Sequence, residues 1–267
     1  MKISIITISY NNIEGLRETI ESVASQTAFD CVEYIIIDGG SNDGTIELLK
    51  QYANRFSYYV SEPDSGIYNA MNKGLRQATG DYVIFSNSGD CLYSPFVVEN
   101  FIALHPHLDI YVGDTDICYE DGSHKIWKSP NQASMRILYN GSLSHQATFI
   151  KTDILKKRMF DESFHIVSDW KLFIQLLIFD NCTYQKLPFT VCSFAWGGIS
   201  SHKEAVNAER QKVLNEYFPP RIQQDFHYLH FGYTDIEQKI KQINWYSKTG
   251  RLLEWIINRM HHIQHGK

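Results

Sequence analysis

The sequence predicts an α/β fold in which helices cover both faces of a mostly parallel sheet, followed by a C-terminal helical appendage. Three observations carry this. Short β-rich runs alternate with helical apolar stripes through the first half of the chain. Most of these runs end in polar, turn-forming clusters, where a strand passes into a crossover. The end of the chain shows only helical periodicity.

Residues 2–9 read as a buried strand, and Asn12 as the cap of a helix carrying Leu16, Ile20 and Val23 on one face. Residues 33–37 form a second strand, ending at Asp38 before the turn Gly39-Gly40-Ser41-Asn42-Asp43-Gly44. A helix marked by Ile46, Leu49 and Ala53 follows, then a third strand over 56–61. After Glu62-Pro63-Asp64-Ser65-Gly66 comes the clearest helix, with Ile67, Ala70, Met71, Gly74, Leu75 and Ala78 on one stripe and Gly80 at the expected C-cap. Residues 81–86 are a fourth strand ending in Asn87-Ser88-Gly89-Asp90, Ser94-Pro95 starts a helix, and 109–112 are a fifth strand.

From about Asp116 the alternation changes. Asp121-Gly122 predicts a hairpin turn between Tyr119 and 125–127, and 145–150 another strand. Trp170, Phe173, Ile174 and Leu177 form a helical stripe, and Ser201-His202-Lys203-Glu204 fits a capping box. The expected divisions are 1–115, 116–218 and a helical tail over 219–267.

With 43% hydrophobic and 21% charged residues, the 267-residue chain can bury a sizeable core. A net charge of −5 argues against nucleic acid as a partner. The five cysteines are widely spaced and none forms a CxxC pair, so neither zinc nor redox work is expected and a reducing cytosol is the predicted setting. No apolar run approaches the ~18 residues of a membrane span, and the N-terminus reads as a strand rather than a leader. From Asp235 onward six Lys/Arg face three Asp/Glu, with Leu253, Ile256, Ile257, Met260 and Ile263 on one helical face. Such a basic amphipathic tail suits either an anionic membrane surface or packing against its own domain or a second subunit.

Ligands of a mostly parallel α/β sheet bind beyond the carboxyl ends of its strands, where Asp38 and Asp90 converge. Asp90 is a candidate metal ligand, yet an Asp in a polar turn also serves simply to bond that turn. Asp114-Thr115-Asp116 is a rival pair, and periodicity does not choose between them. Asp169 is a candidate base, while Ser168 or Asp169 before an apolar stripe also reads as a helix cap. Asp64-Ser65-Gly66 with Tyr68, Asn69, Asn72 and Lys73 makes either an anion site at a helix start or a solvated helix face. His145-Gln146 and Gly197-Gly198-Ile199-Ser200 read, taken singly, as structural.

In order along the chain, several segments resemble one family: residues 5–11 (IITISYN), 37–45 (IDGGSNDGT), 61–74 (SEPDSGIYNAMNKG), 78–82 (ATGDY), Asn87-Ser88-Gly89-Asp90, His145-Gln146, Ser168-Asp169-Trp170 and Gly197-Gly198-Ile199-Ser200. Together they resemble the inverting GT-A glycosyltransferases of family two, of the bacterial polysaccharide type, over about residues 1–205. The resemblance implies a Rossmann-like GT-A fold whose first half, 1–115, binds a nucleotide-sugar and whose second half, 116–218, binds the acceptor. It implies that Thr7, Ser9, Tyr10, Asp38, Asp64, Lys73 and Asn87 serve the donor. Asp90 becomes the metal ligand in preference to the rival pair, with Mg²⁺ or Mn²⁺ as cofactor. Asp169 becomes the general base, and His145 and Gln146 lie on the acceptor side.

The chain departs from the family pattern at Gly39 and Gly89, where many members carry a further carboxylate, and at Ser168, where an acidic residue is usual. The expected activity is hexosyl or N-acetylhexosaminyl transfer from a nucleoside-diphosphate sugar, a UDP-sugar by preference, to a saccharide or lipid-linked saccharide. Bacterial surface polysaccharide or glycolipid assembly is the expected role, and the cytoplasm, with peripheral contact to the inner face of the membrane, the expected place. The alternatives are a sugar nucleotidyltransferase, against which the first loop lacks the Gly-rich, Arg-containing signature, and a non-catalytic sugar-nucleotide-binding protein.

Overall fold

In a computed structural model of the chain, residues 1–198 and 202–228 are described, together with Leu252 and Trp255. The β-rich start of the sequence becomes β1 (Ile3–Ser9), buried along its whole length because it lies inside the sheet. Asn12 caps α1 (Ile13–Ala24), its side chain accepting from the Gly15 amide. β2 (Val32–Asp38), α2 (Thr45–Gln51), β3 (Tyr58–Ser61), α3 (Ile67–Gln77) and β4 (Tyr82–Phe85) complete the alternating half. Then come β5 (Cys91–Leu92), α4 (Val97–Ala103), β6 (Ile110–Cys118), β7 (His124–Trp127), α5 (Met135–Asn140), β8 (Thr148–Lys151), α6 (Thr152–Arg158), α7 (Ser168–Ile174), β9 (Tyr184–Ala195) and α8 (Lys203–Tyr217). A π-helical turn, Gln175–Phe179, extends α7.

The sheet runs β3-β2-β1-β4-β8-β6-β9-β5, with β7 paired to β6. β1 is parallel to both β2 and β4, and β2 to β3. β8 lies antiparallel between β4 and β6, while β6 and β9 are again parallel. The mostly parallel sheet is therefore as predicted, but the fifth predicted strand is separated from the fourth by β8. The boundary anticipated after residue 115 falls inside β6, so both halves share one sheet. By contact density the chain forms two units, Met1–Glu216 and Tyr217–Lys267. In the second, residues 220–228 are helical and Phe226 packs edge-on against Phe218. No helix among the described residues is long and apolar enough to cross a membrane. The amphipathic stripe anticipated from Leu253 onward, and Ser201 of the anticipated capping box, lie outside the described residues.

Several local expectations shift. Ile46 is exposed, and α2 buries Thr45, Leu48 and Leu49 instead, because Asp43 accepts from the amide and hydroxyl of Thr45 and so sets where the helix starts. α3 is capped at Ala78, and Gly80 instead lies against the backbone of Lys2 and Ser4. α4 starts at Val97 rather than at Ser94-Pro95, because Gln26 accepts from the Val98 amide while donating to the Ser94 carbonyl. β8 starts at Thr148, His145–Ala147 forming a 3-10 turn before it.

At the amino ends of the strands a buried carboxylate ties the layers together. Glu33 accepts from the Ser4 hydroxyl, from the backbone and hydroxyl of Thr79, and from the Gly80 amide, with Lys2 3.3 Å away. Burial pushes its carboxyl up, but these hydrogen bonds and the Lys2 charge outweigh burial and hold it at about 2 against an ordinary 4.5. A carboxylate depressed on folding contributes stability that is complete above its unfolded value and lost as pH falls through its folded one. Denaturant midpoints are therefore expected to drop as pH falls from 4.5 towards 2. In Glu33→Gln this drop is smaller and the neutral-pH midpoint is already lower.

Candidate active site

The turns after β1, β2 and β4 meet at the carboxyl edge of the sheet because the three strands run in one direction. They are knitted together by side chains. The Asn11 amide donates to the Ser41 hydroxyl and the Asn11 side chain accepts from the Asn42 amide, Asp43 accepts from the Ile13 amide, and Asn12 donates to the Ser88 carbonyl. Between them lies a cavity of about 370 Å³ lined by Ser9, Tyr10, Asp64, Asn87 and Ser88, with Ile8, Gly66, Ile67 and Ala70 as its apolar wall. That volume lies in the range of small-molecule sites. Ser9 Oγ and Asn87 Oδ1 are buried with no hydrogen-bond partner among the described residues, which leaves both free for a ligand. Tyr10 has an exposed ring beside them.

Four of the seven residues expected at the donor thus line one cavity. The other three lie elsewhere. Thr7 is fully buried and donates to the Ser86 carbonyl, so it ties β1 to β4. Asp38 is also fully buried, and its carboxylate is consumed by the Gly40 and Ser41 amides and the Ser41 and Ser61 hydroxyls. Lys73 pairs with Glu62 at 2.8 Å and donates to the Pro63 carbonyl, so its charge braces the loop before α3. Gly39 has a spatial reason: a Cβ there would stand 2.6 Å from Asp64 Oδ2 and 3.2 Å from the Tyr10 ring. The space a side chain at 39 would fill is taken by the Asp64 carboxylate.

Asp90 is buried, its Oδ2 accepting from the Asn87 amide within the turn. Burial pushes its carboxyl up to about 6, against the His145 charge, the Asn87 amide and the Gln146 side chain, which hold it down. Gly89 has φ +98°, which an Asp at that position would adopt only under strain. The rival pair is not a joint site: Asp114 is held by Lys128 at 2.8 Å and Lys186 at 3.0 Å, while Asp116 bonds His124.

The imidazole of His145 connects the two carboxylate centres. Its Nδ1 lies 3.2 Å from Asp169 Oδ2 and its Nε2 3.3 Å from Asn87 Nδ2. Burial lowers its pKa, but the Asp169 hydrogen bond and charge, and then the Asp90 charge, raise it overall. The same bond, with the His145 charge, holds Asp169 below the ordinary carboxylate range although burial pushes it up. Asp169 is not the cap of α7. That position belongs to Val167, and the other Asp169 oxygen accepts from Tyr68 Oη at 3.2 Å. Gln146 sits beside Asp90, its Oε1 accepting from Ser144.

The polar side of α3 is not solvated. Tyr68 is buried and also donates to the Ile166 carbonyl, Asn72 exchanges bonds with the Phe160 backbone, and Asn69 donates to Glu162. Sequence reasoning placed Tyr68 among polar residues, although its i, i+4, i+7 spacing with Asn72 and Leu75 puts it on a buried face. It also missed Glu209 of α8, which accepts from the amides of His165, Ile166 and Val167 and fixes the chain just before Asp169. No local pattern marks Glu209 as different from any other acid on an exposed helix.

The family profile "Glycosyl transferase family 2" matches residues 4–204. The chain belongs to this family. Among its relatives, an uncharacterised glycosyltransferase of Mycobacterium tuberculosis is 32% identical over 209 residues, covering 76% of this chain and 78% of the relative. A PGL/p-HBAD biosynthesis glycosyltransferase of Mycobacterium bovis is 26% identical over 206 residues, covering 74% and 78%. S. aureus TarS 1–349, solved with UDP-GlcNAc, superposes with a TM-score of 0.64 at 18% identity over 86% of this chain and 73% of that one. The mannosyltransferase PcManGT of Pyrobaculum calidifontis, solved with GDP-Man and Mn²⁺, does so at 0.62 and 17% identity, over 86% and 70%. The fold is GT-A-like, and the chain is a glycosyltransferase.

The coupling within the site is directly measurable. Replacing Asp169 by Asn is expected to lower the His145 imidazole pKa in an NMR titration, and replacing Asp90 by Asn to lower it less. The reverse order contradicts the assigned geometry.

Proposed function

We propose that this glycosyltransferase is an inverting enzyme that passes a hexosyl or N-acetylhexosaminyl group from a UDP-sugar to a hydroxyl of a saccharide or lipid-linked saccharide, with Asp169 as general base. The observation that carries the reading is the His145 bridge. It sets a depressed, rigidly held carboxylate and the Asp90 turn on either side of one imidazole, next to the donor cavity.

In this reading the acceptor hydroxyl gives its proton to Asp169 as its oxygen bonds to the anomeric carbon. The bond from that carbon to phosphate oxygen breaks, and its electron pair leaves with the nucleoside diphosphate. Asp169 is suited to the task because His145 keeps it ionised and Tyr68 orients it. His145 and Gln146 are thereby positioning residues between base and donor. Ser9 and Asn87 offer unsatisfied polar atoms to the donor, Tyr10 a ring face to its base, and Asp64 an acceptor for a base N–H, in keeping with uridine. Glycosyltransferases of this type commonly use a divalent cation, and the residues fit one: Asp90 and the orphaned Asn87 Oδ1 are hard oxygen donors suited to Mg²⁺ or Mn²⁺. When bound, such a cation stabilises charge on the departing diphosphate.

We assign the chain to surface polysaccharide or glycolipid assembly on the cytoplasmic side. The naming of one relative for PGL/p-HBAD biosynthesis supports this reading. The basic tail is proposed to meet the inner membrane face or a second subunit.

Asp169→Asn is expected to cut sugar transfer by about 10²–10⁴-fold while leaving UDP affinity unchanged by calorimetric titration. Undiminished turnover in that variant contradicts the assignment of the base.

A further inference from the structure

The far end of β6 carries a second cluster that the transfer reaction does not use. Asp116 and Cys118 stand two residues apart on this strand, so both side chains point to one face. The tight turn through Asp121-Gly122, closed by the Gly122 amide on the Tyr119 carbonyl, brings His124 of β7 directly opposite Cys118. Ser193 of β9 is opposite Asp116 from the other side. Three donor atoms of three different chemistries meet here. His124 Nδ1 is 2.8 Å from Asp116 Oδ2 and 3.4 Å from Cys118 Sγ, and that sulfur is 3.9 Å from Asp116 Oδ2.

These separations bracket what a tetrahedral zinc ion demands. Bonds of roughly 2.3 Å to sulfur and 2.0–2.2 Å to nitrogen and oxygen place ligand atoms about 3.2–3.6 Å apart. The ligands would need to move only by tenths of an ångström. Ser193 Oγ lies 3.1 Å from Asp116 Oδ2 and 3.0 Å from Cys118 Sγ, so that its single O–H can donate a supporting hydrogen bond to one ligand or the other. Asp116 is 5% exposed, and its Oδ1 has no hydrogen-bond partner among the described residues, an uncommon state for a buried carboxylate. The His124 side chain is 59% exposed, so an ion has an entry path and a fourth position open to water.

We propose that Asp116, Cys118 and His124 form a binding site for a borderline-soft divalent cation, zinc by preference, which clips the β6–β7 hairpin. Sulfur and imidazole set it apart from the all-oxygen Asp90 turn, which suits Mg²⁺ or Mn²⁺. The proposal does not depend on the transferase reading. The absence of a CxxC spacing concealed it, because the ligands come together across a hairpin and not along a loop.

Cobalt is the probe of choice, since a thiolate ligand gives it a charge-transfer band in the near ultraviolet. The full-length protein is expected to bind one equivalent of Co²⁺ with that band, which Zn²⁺ abolishes and Mg²⁺ does not. Cys118→Ser and His124→Ala each lose the band while keeping the wild-type circular dichroism, and Asp90→Asn retains it. Zinc raises the melting temperature of the wild type but not of Cys118→Ser. The proposal is overturned if the wild-type protein shows no thiolate band, if the band survives Cys118→Ser, or if it is lost in Asp90→Asn.

Discussion

The shared direction of β1, β2 and β4 is the constraint on which the site depends. Parallel strands deliver their carboxyl ends to one edge, so segments separated by dozens of residues become neighbours: Ser9 ends β1 and Tyr10 follows it, and Asn87 and Asp90 follow β4. Each loop would be too short and polar to hold a shape alone. Cross-bonds between Asn11 and Ser41, Asp43 and Ile13, and Asn12 and Ser88 make them one rigid rim. Asp38 and Thr7 belong to this bracing. The fully buried Asp38 carboxylate accepts four hydrogen bonds from the Gly40, Ser41 and Ser61 segments and so holds this part of the rim in place.

The second half of the chain completes the site electrostatically. Asp90 and Asp169 are both carboxylates in sheltered surroundings, yet burial raises one while a direct imidazole contact lowers the other. Environments that push two titratable groups apart are how one site assigns them different tasks. The His145 ring is shared asymmetrically, hydrogen-bonded to Asp169 and reaching the Asp90 turn through Asn87. Asp114, which on spacing alone rivals Asp90, is neutralised by two lysines and removed from contention.

Rigidity around Asp169 comes from residues remote in sequence. Tyr68 of α3 holds both its carboxylate and the Ile166 carbonyl, and Glu209 of α8 holds three successive amides before it. Lys171, buried one turn after the Ser168 start of α7, pairs with Asp161 and Glu216 at 2.7 Å each. The Asp169 carboxylate is thereby fixed from three directions, the rigidity that the proposed role of base asks for, since misplacement by an ångström costs orders of magnitude in rate.

The sequence by itself determined the alternating architecture, the carboxyl ends of the first four strands, the Asn12 cap and the Asp121-Gly122 hairpin, because periodicity and turn chemistry act over a few residues; β6, expected to end at 112, runs on to Cys118. The ordered motifs, compared as a set, also singled out Asp90 and Asp169. What only the tertiary structure decided was which polar residues open on the cavity and which are bonded to the rest of the protein. Ser9 and Thr7 sit two apart on one strand with similar hydroxyls, yet one opens on the cavity and the other is spent on Ser86. Asp64 fills the space beside Gly39, and Cys118 meets His124 only because β6 and β7 fold back on each other. Hydrogen-bond capacity is consumed by neighbours that are distant along the chain, and no local pattern records which neighbours those are.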